Sequence, residues 1–408
     1  MHDRDFSISS PSLVKNGASS PPKSTLRESF ISTHKTPSLR AIINITDFEA
    51  AAAQIMEPRS FAFYNSGAED EITKRWNQKN WQSIRFRPRV LVPIESVEIC
   101  TTILGNKYTA PFFMSPTGAG DLAHPEGQMI LAKVAASNNV MQWVSHYSRD
   151  MLKEIMDTRE GGQVFYQTYI STDLRVTEME LRGAIAIGYG GFALTVDAPR
   201  IGKREQVLRS NIEDFDPRRT SKLHHGRWDC NSTTVSFYDL TRASCQYYCR
   251  PSYQFDWISA VKWIRGITDL PIAIKGIQTW EDAALCMQHG VHPYLSNHGG
   301  RQLEGAPSAV ETLLEIREHC PEVFQKCEVM VDGGVKRGTD IVKALALGAK
   351  AVGLGRGFLY PLVFGERGLN KAMGILKHEV ETTMALLGVT SVDQLTDSYV
   401  TMSARSTM

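Results

Sequence analysis

The sequence predicts an α/β fold, a TIM-type (β/α)8 barrel with N-terminal helices and a long insertion after strand 4. Three observations predict it. Eight apolar runs, each too short for a helix, recur between residues 111 and 354. Most are followed by about 10 to 15 residues of helical pattern, which indicates repeated βα units and a parallel sheet. The ends of the runs are 21 to 35 residues apart, except for one step of 79.

The regular spacing favours a barrel over an open sheet. A doubly wound fold is the weaker alternative, because no Gly-x-Gly-x-x-Gly motif follows the first run. The predicted strands are residues 111–114, 140–144, 164–167, 192–196, 272–275, 293–295, 329–331 and 351–354.

Residues 1–40 hold ten serines and four prolines and show no hydrophobic periodicity. Such a segment buries too little apolar surface to offset the entropy of ordering, so we expect a flexible extension before a barrel domain at 41–400. Its basic residues leave a mitochondrial presequence open as an alternative, although three acidic residues count against one.

Helices are predicted on both sides of the strands. Thr46 followed by Glu49 is typical of a capping box that begins a helix, and Pro58 favours the start of a second. The helical pattern continues through residues 69–73. After the last strand, leucines and methionines at spacings of three and four predict a packed helix that ends before Gly388.

The step of 79 residues contains an insertion at residues 210–255, rich in charge, Tyr, Cys and His. Loops after barrel strands open on the catalytic face, so the segment is a candidate lid. A surface excursion that contacts a neighbouring subunit is an equal alternative.

Composition limits the classes of function. With 45 basic and 44 acidic residues, the charge favours neither nucleic acid nor an anionic membrane surface as a partner. No apolar stretch approaches the roughly 20 residues that cross a bilayer, which predicts a soluble protein. Seven scattered cysteines favour reduced thiols and an intracellular, cytoplasmic location. A zinc site at Cys245 and Cys249 fits no common spacing, so we expect no metal. The C-terminus carries no Ser-Lys-Leu peroxisomal signal.

Polar residues and glycines follow each predicted strand. In a barrel these positions meet at one face, so together they predict one site. The candidates are Pro116, Thr117, Gly118, Gln167, Tyr169, Thr195, Asp197, Arg204, Lys275, His298, Arg301, Asp332, Gly333, Gly334, Lys336, Gly355 and Arg356.

The residue types indicate the chemistry. His298 and Arg301 lie on a turn with two glycines and bring a titratable base and a fixed cation together, which suits an acid substrate. The glycine-rich turns after strands seven and eight match the usual phosphate site of this architecture. Lys275 ends an apolar strand, where an unpaired ammonium is costly. A flavin edge that becomes negative on reduction would neutralise it.

Several motifs resemble one family jointly and specifically. They are Ser-Gly-Ala-Glu-Asp-Glu (66–71), His-Pro-Glu-Gly (124–127), Leu-Thr-Val-Asp-Ala-Pro-Arg (194–200), Ser-Asn-His-Gly-Gly-Arg-Gln-Leu (296–303) and Asp-Gly-Gly-Val-Lys-Arg-Gly-Thr-Asp (332–340). From about residue 45 to 395 the chain is similar to the FMN-dependent α-hydroxy-acid oxidases and dehydrogenases. These include glycolate oxidase, lactate oxidase and the flavin domain of cytochrome-fused lactate dehydrogenases, and we expect no haem domain in the given sequence.

The resemblance implies roles. His298 would be the base that takes a proton from carbon or oxygen of a 2-hydroxy acid, with Asp197 orienting the imidazolium. Arg301 and Arg204 would hold the substrate carboxylate, and Tyr169 the substrate oxygen. The flavin ring of FMN would contact Pro116, Thr117, Gly118, Gln167, Thr195 and Lys275. The ribityl chain and phosphate would contact Asp332, Gly333, Gly334, Lys336, Gly355 and Arg356.

The chain departs from the family in its substrate-binding region. Phe63 replaces a tyrosine that helps bind the carboxylate, which removes a hydrogen bond of about 0.5 to 3 kcal/mol. Val144 replaces a serine, Lys336 an arginine, and His146 a tryptophan of glycolate oxidase. We therefore expect a substrate other than simple glycolate. Gly118, beside flavin N5, hints at oxidase behaviour.

The leading hypothesis is FMN-dependent oxidation of an (S)-2-hydroxy acid, with oxygen, a quinone or a haem protein as electron acceptor. A specialised biosynthetic-pathway oxidase acting on a larger substrate is the first alternative. A non-catalytic flavin-binding subunit is the second alternative. The presence of the residues that the resemblance assigns to catalysis and binding counts against it: His298, Asp197, Arg301, Arg204, Tyr169 and Lys275. The resemblance also implies a homotetramer or octamer.

Overall fold

The computed structural model describes residues 37–159, 163–213 and 255–402. They belong to one compact unit of the chain. The expected flexible extension lies outside these residues except for 37–40, and the expected insertion lies outside them except for 210–213 and 255. Cys245 and Cys249 are also outside. Within the described ranges, no helix is long and apolar enough to cross a membrane.

Eight parallel strands form a closed barrel in which sequence neighbours are spatial neighbours and the last strand pairs with the first. The strands are β1 (Phe112–Met114), β2 (Met141–Val144), β3 (Phe165–Thr168), β4 (Phe192–Thr195), β5 (Ile272–Ile277), β6 (His292–Leu295), β7 (Met330–Asp332) and β8 (Ala351–Leu354). Val352 of β8 lies opposite Phe112 of β1. The predicted fold class is confirmed, and each predicted run coincides with a strand to within two residues.

Helices precede the barrel and follow its strands. They are α1 (Ile45–Ile55), α2 (Pro58–Asn65), α3 (Ile72–Ser83), α4 (Gly127–Ser137), α5 (Leu152–Asp157), α6 (Leu174–Ala186), α7 (Glu205–Glu213), α8 (Trp257–Arg265), α9 (Trp280–Gln288), α10 (Ala309–His319), α11 (Val323–Lys326), α12 (Gly338–Ala346), α13 (Arg356–Leu359) and α14 (Gly365–Leu387). Short 3-10 turns lie at Leu39–Ala41, Gly120–Leu122, His146–Met151, Tyr360–Phe364, Val392–Gln394 and Asp397–Tyr399.

Two small antiparallel sheets flank the barrel. Ile84–Phe86 pairs with Val400–Met402, and Thr101–Ile103 pairs with Asn106–Tyr108. The first sheet ties the chain before the barrel to the chain after it.

The core has two apolar layers because successive strand residues point to opposite faces of the sheet. Phe112 packs in the layer between strands and helices, whereas its neighbour Phe113 packs inside the barrel. Trp143 and Phe165 fill the interior beside it, with ring centroids 5.0 Å apart. The barrel is therefore a packed support, and the loops at its end are left to build a site.

The structure corrects the predicted capping box. The N-cap of α1 is Asn44, whose side chain accepts from the Asp47 N–H at 3.0 Å. Thr46 lies inside the helix, because Asn44, two positions earlier, already accepts from a first-turn N–H that has no partner within the helix. Pro58 begins α2 as predicted, and Gly388, with a φ of 76°, ends α14 as predicted.

The predicted helical continuation through residues 69–73 is also wrong, because α3 begins only at Ile72. Glu69 and Glu71 have positive φ values of 42° and 59°. The N–H of Ala68 donates to the Gly300 carbonyl at 2.8 Å, and the N–H of Glu69 donates to the Lys203 carbonyl at 2.7 Å. These tertiary bonds replace helical ones and tie the segment to the loops after β4 and β6.

Candidate active site

A cavity of about 500 Å³ opens at the carboxyl ends of the barrel strands. The structure brings nearly all the predicted site residues to its wall, and the two exceptions, Asp197 and Thr195, lie directly behind it in contact with His298 and Gln167. The predicted residues in the wall are Phe63, Pro116, Thr117, Gly118, Gln167, Tyr169, Arg204, Lys275, His298, Arg301, Asp332, Gly333, Gly334, Lys336, Gly355 and Arg356.

His298 is held by a buried carboxylate. Its Nδ1 lies 2.9 Å from Oδ1 of Asp197, whose side chain is only 1% exposed. An ionised carboxylate only accepts hydrogen bonds, so Nδ1 carries the proton and Nε2 keeps the lone pair. His298 has a φ of 59°, and its N–H donates to the Ser296 hydroxyl at 3.1 Å. The strained turn thus fixes an imidazole base at the cavity wall.

The charges around this pair set both protonation states. Burial raises the pKa of Asp197, but the opposing effects of His298 and Lys275 prevail and leave it below its usual value. Burial lowers the pKa of His298, and Lys275 and Arg204 add to the effect, while Asp197 opposes it. At neutral pH the carboxylate is therefore ionised and the imidazole is neutral, as a general base requires.

Lys275 begins a hydrogen-bonded chain across the barrel. Its Nζ donates to Ser296 Oγ at 2.8 Å and lies 3.9 Å from Oδ2 of Asp197. Ser296 donates to Asp332 at 2.6 Å, and the Tyr294 hydroxyl donates to the other oxygen of that carboxylate at 2.8 Å. The hydroxyl oxygens of Tyr294 and Ser115 are 3.1 Å apart. The chain links β5, β6, β7 and the end of β1 and fixes a buried ammonium in the cavity wall.

Arg301 is anchored by the C-terminal end of α2. Nη1 donates to the backbone carbonyls of Phe63 at 2.7 Å and Ser66 at 2.9 Å. The guanidinium carbon lies 5.2 Å from the centroid of the Phe63 ring. These bonds use one nitrogen of the guanidinium to hold the side chain. The planar cation lines the cavity.

A second arginine lies beside the first. Gln302 accepts from Arg204 Nη2 at 3.4 Å and donates to the backbone carbonyl of Arg200 at 2.8 Å. Burial, Arg204 and Arg356 together lower the pKa of Arg301 well below its usual value. Guanidiniums stay charged in proteins, so two neighbouring arginines in the cavity wall favour the binding of an anion. A carboxylate is the natural one.

An amide from β3 lines the cavity and is held from behind by a hydroxyl of β4. Gln167 Nε2 donates to Thr195 Oγ1 at 2.9 Å, and Gln167 Oε1 accepts from the backbone N–H of His146 at 3.2 Å. Both side chains are buried. They present polar atoms in a fixed orientation, as a ring with polar edges requires.

Gly118 lets the backbone approach closely in the loop after β1. A Cβ built at this position would lie 2.7 Å from the Cβ of Tyr147, closer than real side chains approach. Pro116 and Thr117 line the cavity next to it. This part of the wall is flat backbone that can face a planar ring.

Two cations lie in the cavity wall with the glycine turns that follow β7 and β8. Lys336 Nζ lies 2.7 Å from Oε2 of Glu49 in α1, and Arg356 donates to the Gly299 carbonyl at 2.6 Å. Residues 333–334 have φ values of 106° and 74°, which suits glycine. Backbone and cations there can hold a phosphate.

His146 and Tyr169 form an aromatic corner. Their ring centroids are 5.6 Å apart and their planes are almost perpendicular, at 88°. Burial and Arg149 lower the pKa of His146 to about 4, so it is neutral at neutral pH. Val144, the last residue of β2, also departs from the family; it is buried and does not line the cavity.

Sequence reasoning missed several residues that build this site. The sequence shows Ser296 only as part of the His298 motif and Tyr294 only as part of a strand. The sequence pattern predicts Glu49 as part of a helix cap, but in the structure its side chain pairs with Lys336. Arg149 carried no signal. Among the described residues no group of three metal-ligating side chains lies close enough to hold an ion.

Comparison with known proteins identifies the family. Residues 52–402 match the FMN-dependent dehydrogenase family. The chain belongs to this family. Over 368 residues it is 40% identical to an L-lactate dehydrogenase (cytochrome) of Wickerhamomyces anomalus. The aligned part is 89% of this chain and 62% of that relative. Over 366 residues it is 37% identical to a peroxisomal (S)-2-hydroxyacid oxidase of Arabidopsis thaliana. The aligned part is 88% of this chain and 96% of the oxidase.

Solved structures agree with the family assignment. A flavocytochrome b2 variant with sulfite bound has a TM-score of 0.79 and 33% identity, over 91% of this chain and 90% of that one. A mandelate oxidase variant with (S)-mandelic acid has a TM-score of 0.73 and 28% identity, over 86% of this chain and 96% of that one. FMN is the cofactor of the family, as the sequence predicts.

The cavity fits this cofactor. Buried Lys275 offers a cation in the wall, next to the amide of Gln167. Gly118 brings backbone to the cavity wall, and Lys336 and Arg356 add two cations to the same wall. An elongated ligand with a polar-edged ring and a phosphate matches this donor set.

Proposed function

We propose that the protein oxidises an (S)-2-hydroxy acid to the corresponding 2-oxo acid. The C–H and O–H bonds at carbon 2 break, two electrons and two protons leave, and a carbonyl forms. FMN, when bound, supplies the two-electron acceptor. The observation that carries the proposal is a neutral imidazole, paired with a buried carboxylate at 2.9 Å, in one cavity with two arginines and a buried lysine.

His298 is the proposed base. Its Nε2 accepts the proton from carbon or from oxygen of the substrate, and Asp197 stabilises the imidazolium that forms. Arg301 and Arg204 bind the substrate carboxylate, and Tyr169 hydrogen-bonds the substrate oxygen. This arrangement places the base, the bound acid and the cofactor-binding wall in a single cavity.

The remaining predicted residues are proposed to bind FMN. The ring would contact Pro116, Thr117, Gly118, Gln167, Thr195 and Lys275, and the ribityl phosphate would contact Asp332, Gly333, Gly334, Lys336, Gly355 and Arg356. Burial of Lys275 and the glycines that line the cavity after β7 and β8 support this division.

Anaerobic mixing of the purified yellow protein with (S)-2-hydroxy acids tests the reaction. We expect loss of flavin absorbance in the wild type. His298→Gln should keep FMN and slow this reduction about 100- to 10,000-fold, the usual contribution of a positioned base. His289→Gln is the matched control, because His289 stacks on Trp257 and does not line the cavity. Normal reduction of His298→Gln would refute the assigned base.

A second candidate is a specialised oxidase acting on a larger acid. Phe63 and His146, which depart from the family at the cavity wall, favour it. Turnover on a panel from glycolate to aryl and long-chain hydroxy acids decides between the two. Efficient turnover of small acids would exclude the specialised role.

Oxygen is the proposed electron acceptor, from the resemblance to the family, in which the position of Gly118 lies beside the flavin. A quinone or haem protein is the alternative, and rapid reoxidation of the reduced protein by air distinguishes them. We also propose a cytoplasmic homotetramer or octamer, from the resemblance to the family. Light scattering of the purified protein measures the assembly.

A further inference from the structure

Tyr294 is a buried phenol that the proposed chemistry does not use. It lies on β6, is fully buried, and belongs to the apolar layer inside the barrel. Its ring meets that of Phe113 edge-on, with centroids 5.5 Å apart. Tyr294 does not line the cavity. A barrel interior is usually filled by apolar side chains, so a hydroxyl there requires a polar partner.

The partner of this hydroxyl is a carboxylate of the cavity wall. Tyr294 Oη donates to Oδ2 of Asp332 at 2.8 Å. Burial and the charge of Asp332 raise the pKa of the Tyr294 phenol well above its usual value, so the hydroxyl keeps its proton. Ser296 donates to the other oxygen, Oδ1, at 2.6 Å. Each oxygen of Asp332 therefore has its own hydroxyl donor, and Tyr294 supplies one of the two.

Tyr294 also contacts the buried lysine. Lys275 Nζ lies 5.3 Å from the centroid of the Tyr294 ring, within the range of a cation–π contact. The same ammonium donates to Ser296 Oγ at 2.8 Å, so a single hydroxyl oxygen separates it from Asp332. Charges this close and this buried interact more strongly than they would in water. Tyr294 thus lies behind a coupled pair of opposite charges and contacts both.

Both charges belong to the cavity wall where FMN is proposed to bind. Lys275 is assigned to the flavin ring and Asp332 to the ribityl chain. A flavin edge becomes negative on reduction, so a nearby cation raises the reduction potential and a nearby carboxylate lowers it. A hydroxyl that donates to Asp332 disperses the negative charge of this carboxylate. The field of Lys275 at the flavin is then less offset.

We propose that Tyr294 is a positioning residue that raises the two-electron reduction potential of bound FMN, because its hydroxyl disperses the charge of Asp332 beside Lys275. The inference rests on the proposed placement of the flavin ring against Lys275. It concerns the cofactor and is independent of which acid is oxidised.

Tyr294→Phe tests the proposal, since it removes the hydroxyl and keeps the ring over Lys275. The midpoint potential of the FMN-loaded protein is measured anaerobically against a reference dye, at saturating FMN and without any hydroxy acid. We expect the affinity for reduced FMN, relative to oxidised FMN, to fall about tenfold, which lowers the potential by about 30 mV.

Tyr189→Phe is the matched control. Tyr189 is another buried tyrosine, its hydroxyl donates to the Leu152 carbonyl at 3.2 Å, and it does not line the cavity. This variant also loses a buried hydrogen bond, but no charge of the cavity wall is involved. Its thermal stability should fall while its FMN potential stays at the wild-type value.

Asp332→Asn tests the route through the carboxylate. Removal of the negative charge should raise the potential, opposite in sign to Tyr294→Phe. Tyr294→Phe added to Asp332→Asn should then shift the potential much less than it does alone, because no charge remains to be dispersed. A residue needed only for packing would not produce shifts of opposite sign.

An unchanged or raised potential in Tyr294→Phe would overturn the inference. A potential of Asp332→Asn at or below that of the wild type would overturn it independently, as would a full Tyr294→Phe shift in the Asp332→Asn background. Because the measurement uses no hydroxy acid, its result is separate from the proposed function. Expected potential shifts in a protein that oxidises no hydroxy acid would overturn the proposed function alone.

Discussion

Arg301 lies over the face of Phe63, with 5.2 Å between the guanidinium carbon and the ring centroid, and donates to the Phe63 carbonyl at 2.7 Å. The arginine is thus held by the ring face and the backbone of this residue, without a phenol hydroxyl. A tyrosine here, as the family resemblance leads one to expect, would add a donor near the substrate carboxylate. The phenylalanine keeps the arginine in place and removes that donor.

Phe63→Tyr should restore the missing hydrogen bond. We expect the KM for a 2-hydroxy acid to fall about 2- to 150-fold, from a hydrogen bond to the carboxylate of about 0.5 to 3 kcal/mol. Phe61→Tyr adds a hydroxyl to the same helix away from the cavity wall and is the matched control. Steady-state kinetics measure both, and an unchanged KM for Phe63→Tyr would contradict the role given to this position.

Asp197→Asn should leave FMN bound and impair catalysis. The amide cannot stabilise the imidazolium at the 2.9 Å contact, and it can favour the wrong tautomer of His298. We expect kcat/KM to fall about 100-fold or more. Flavin absorbance and kcat/KM are the two measurements. A loss of less than tenfold would show that the carboxylate is not needed for the proton transfer.

The pH dependence follows from the pKa of His298, which burial lowers below its ordinary value. The neutral base predominates above that pKa, so kcat/KM should be constant near neutrality and fall as the pH drops through a value below about 6.5. Asp197 opposes the lowering of the His298 pKa. In Asp197→Asn the fall of kcat/KM on the acid side should therefore move to still lower pH. An acid limb at higher pH than that of free histidine would be inconsistent with a neutral base in this cavity.

Gly118→Ala should place a methyl group 2.7 Å from the Cβ of Tyr147. The loop or the half-exposed tyrosine must shift, at a cost of about 1 to 3 kcal/mol in the free energy of unfolding. Because the family resemblance puts Gly118 beside the flavin, we also expect the displaced loop to slow reoxidation by air. Thermal unfolding and the reoxidation rate report the two effects. A variant that reoxidises as fast as the wild type would argue against access through this position.

Strand ends were predictable because the pattern of apolar runs and the barrel geometry determine them together. Lys275 and Asp332 are distant in the sequence, yet each follows or ends an apolar run, and parallel strands bring both to one face. The start of α1 was less predictable. Asn44 and Thr46 are both good N-caps, and only the observed hydrogen bond to Asp47 distinguishes them.

Contacts between distant elements were beyond sequence reasoning. Lys336 pairs with Glu49, 287 positions away, and no local pattern signals this pair. The contact of Glu180 with His146 likewise joins a helix to a loop. Such pairs depend on how helices pack around the barrel, which hydrophobic periodicity does not specify.

The hydroxyls and carboxylate that join Lys275 to Ser115 form one buried network, whereas Phe63 lines the cavity from the helix α2. A replacement within the network disturbs four strands at once, but a replacement at Phe63 alters one helix. New ligand preferences are therefore more easily gained at positions such as Phe63, since a change in the network would also weaken the barrel.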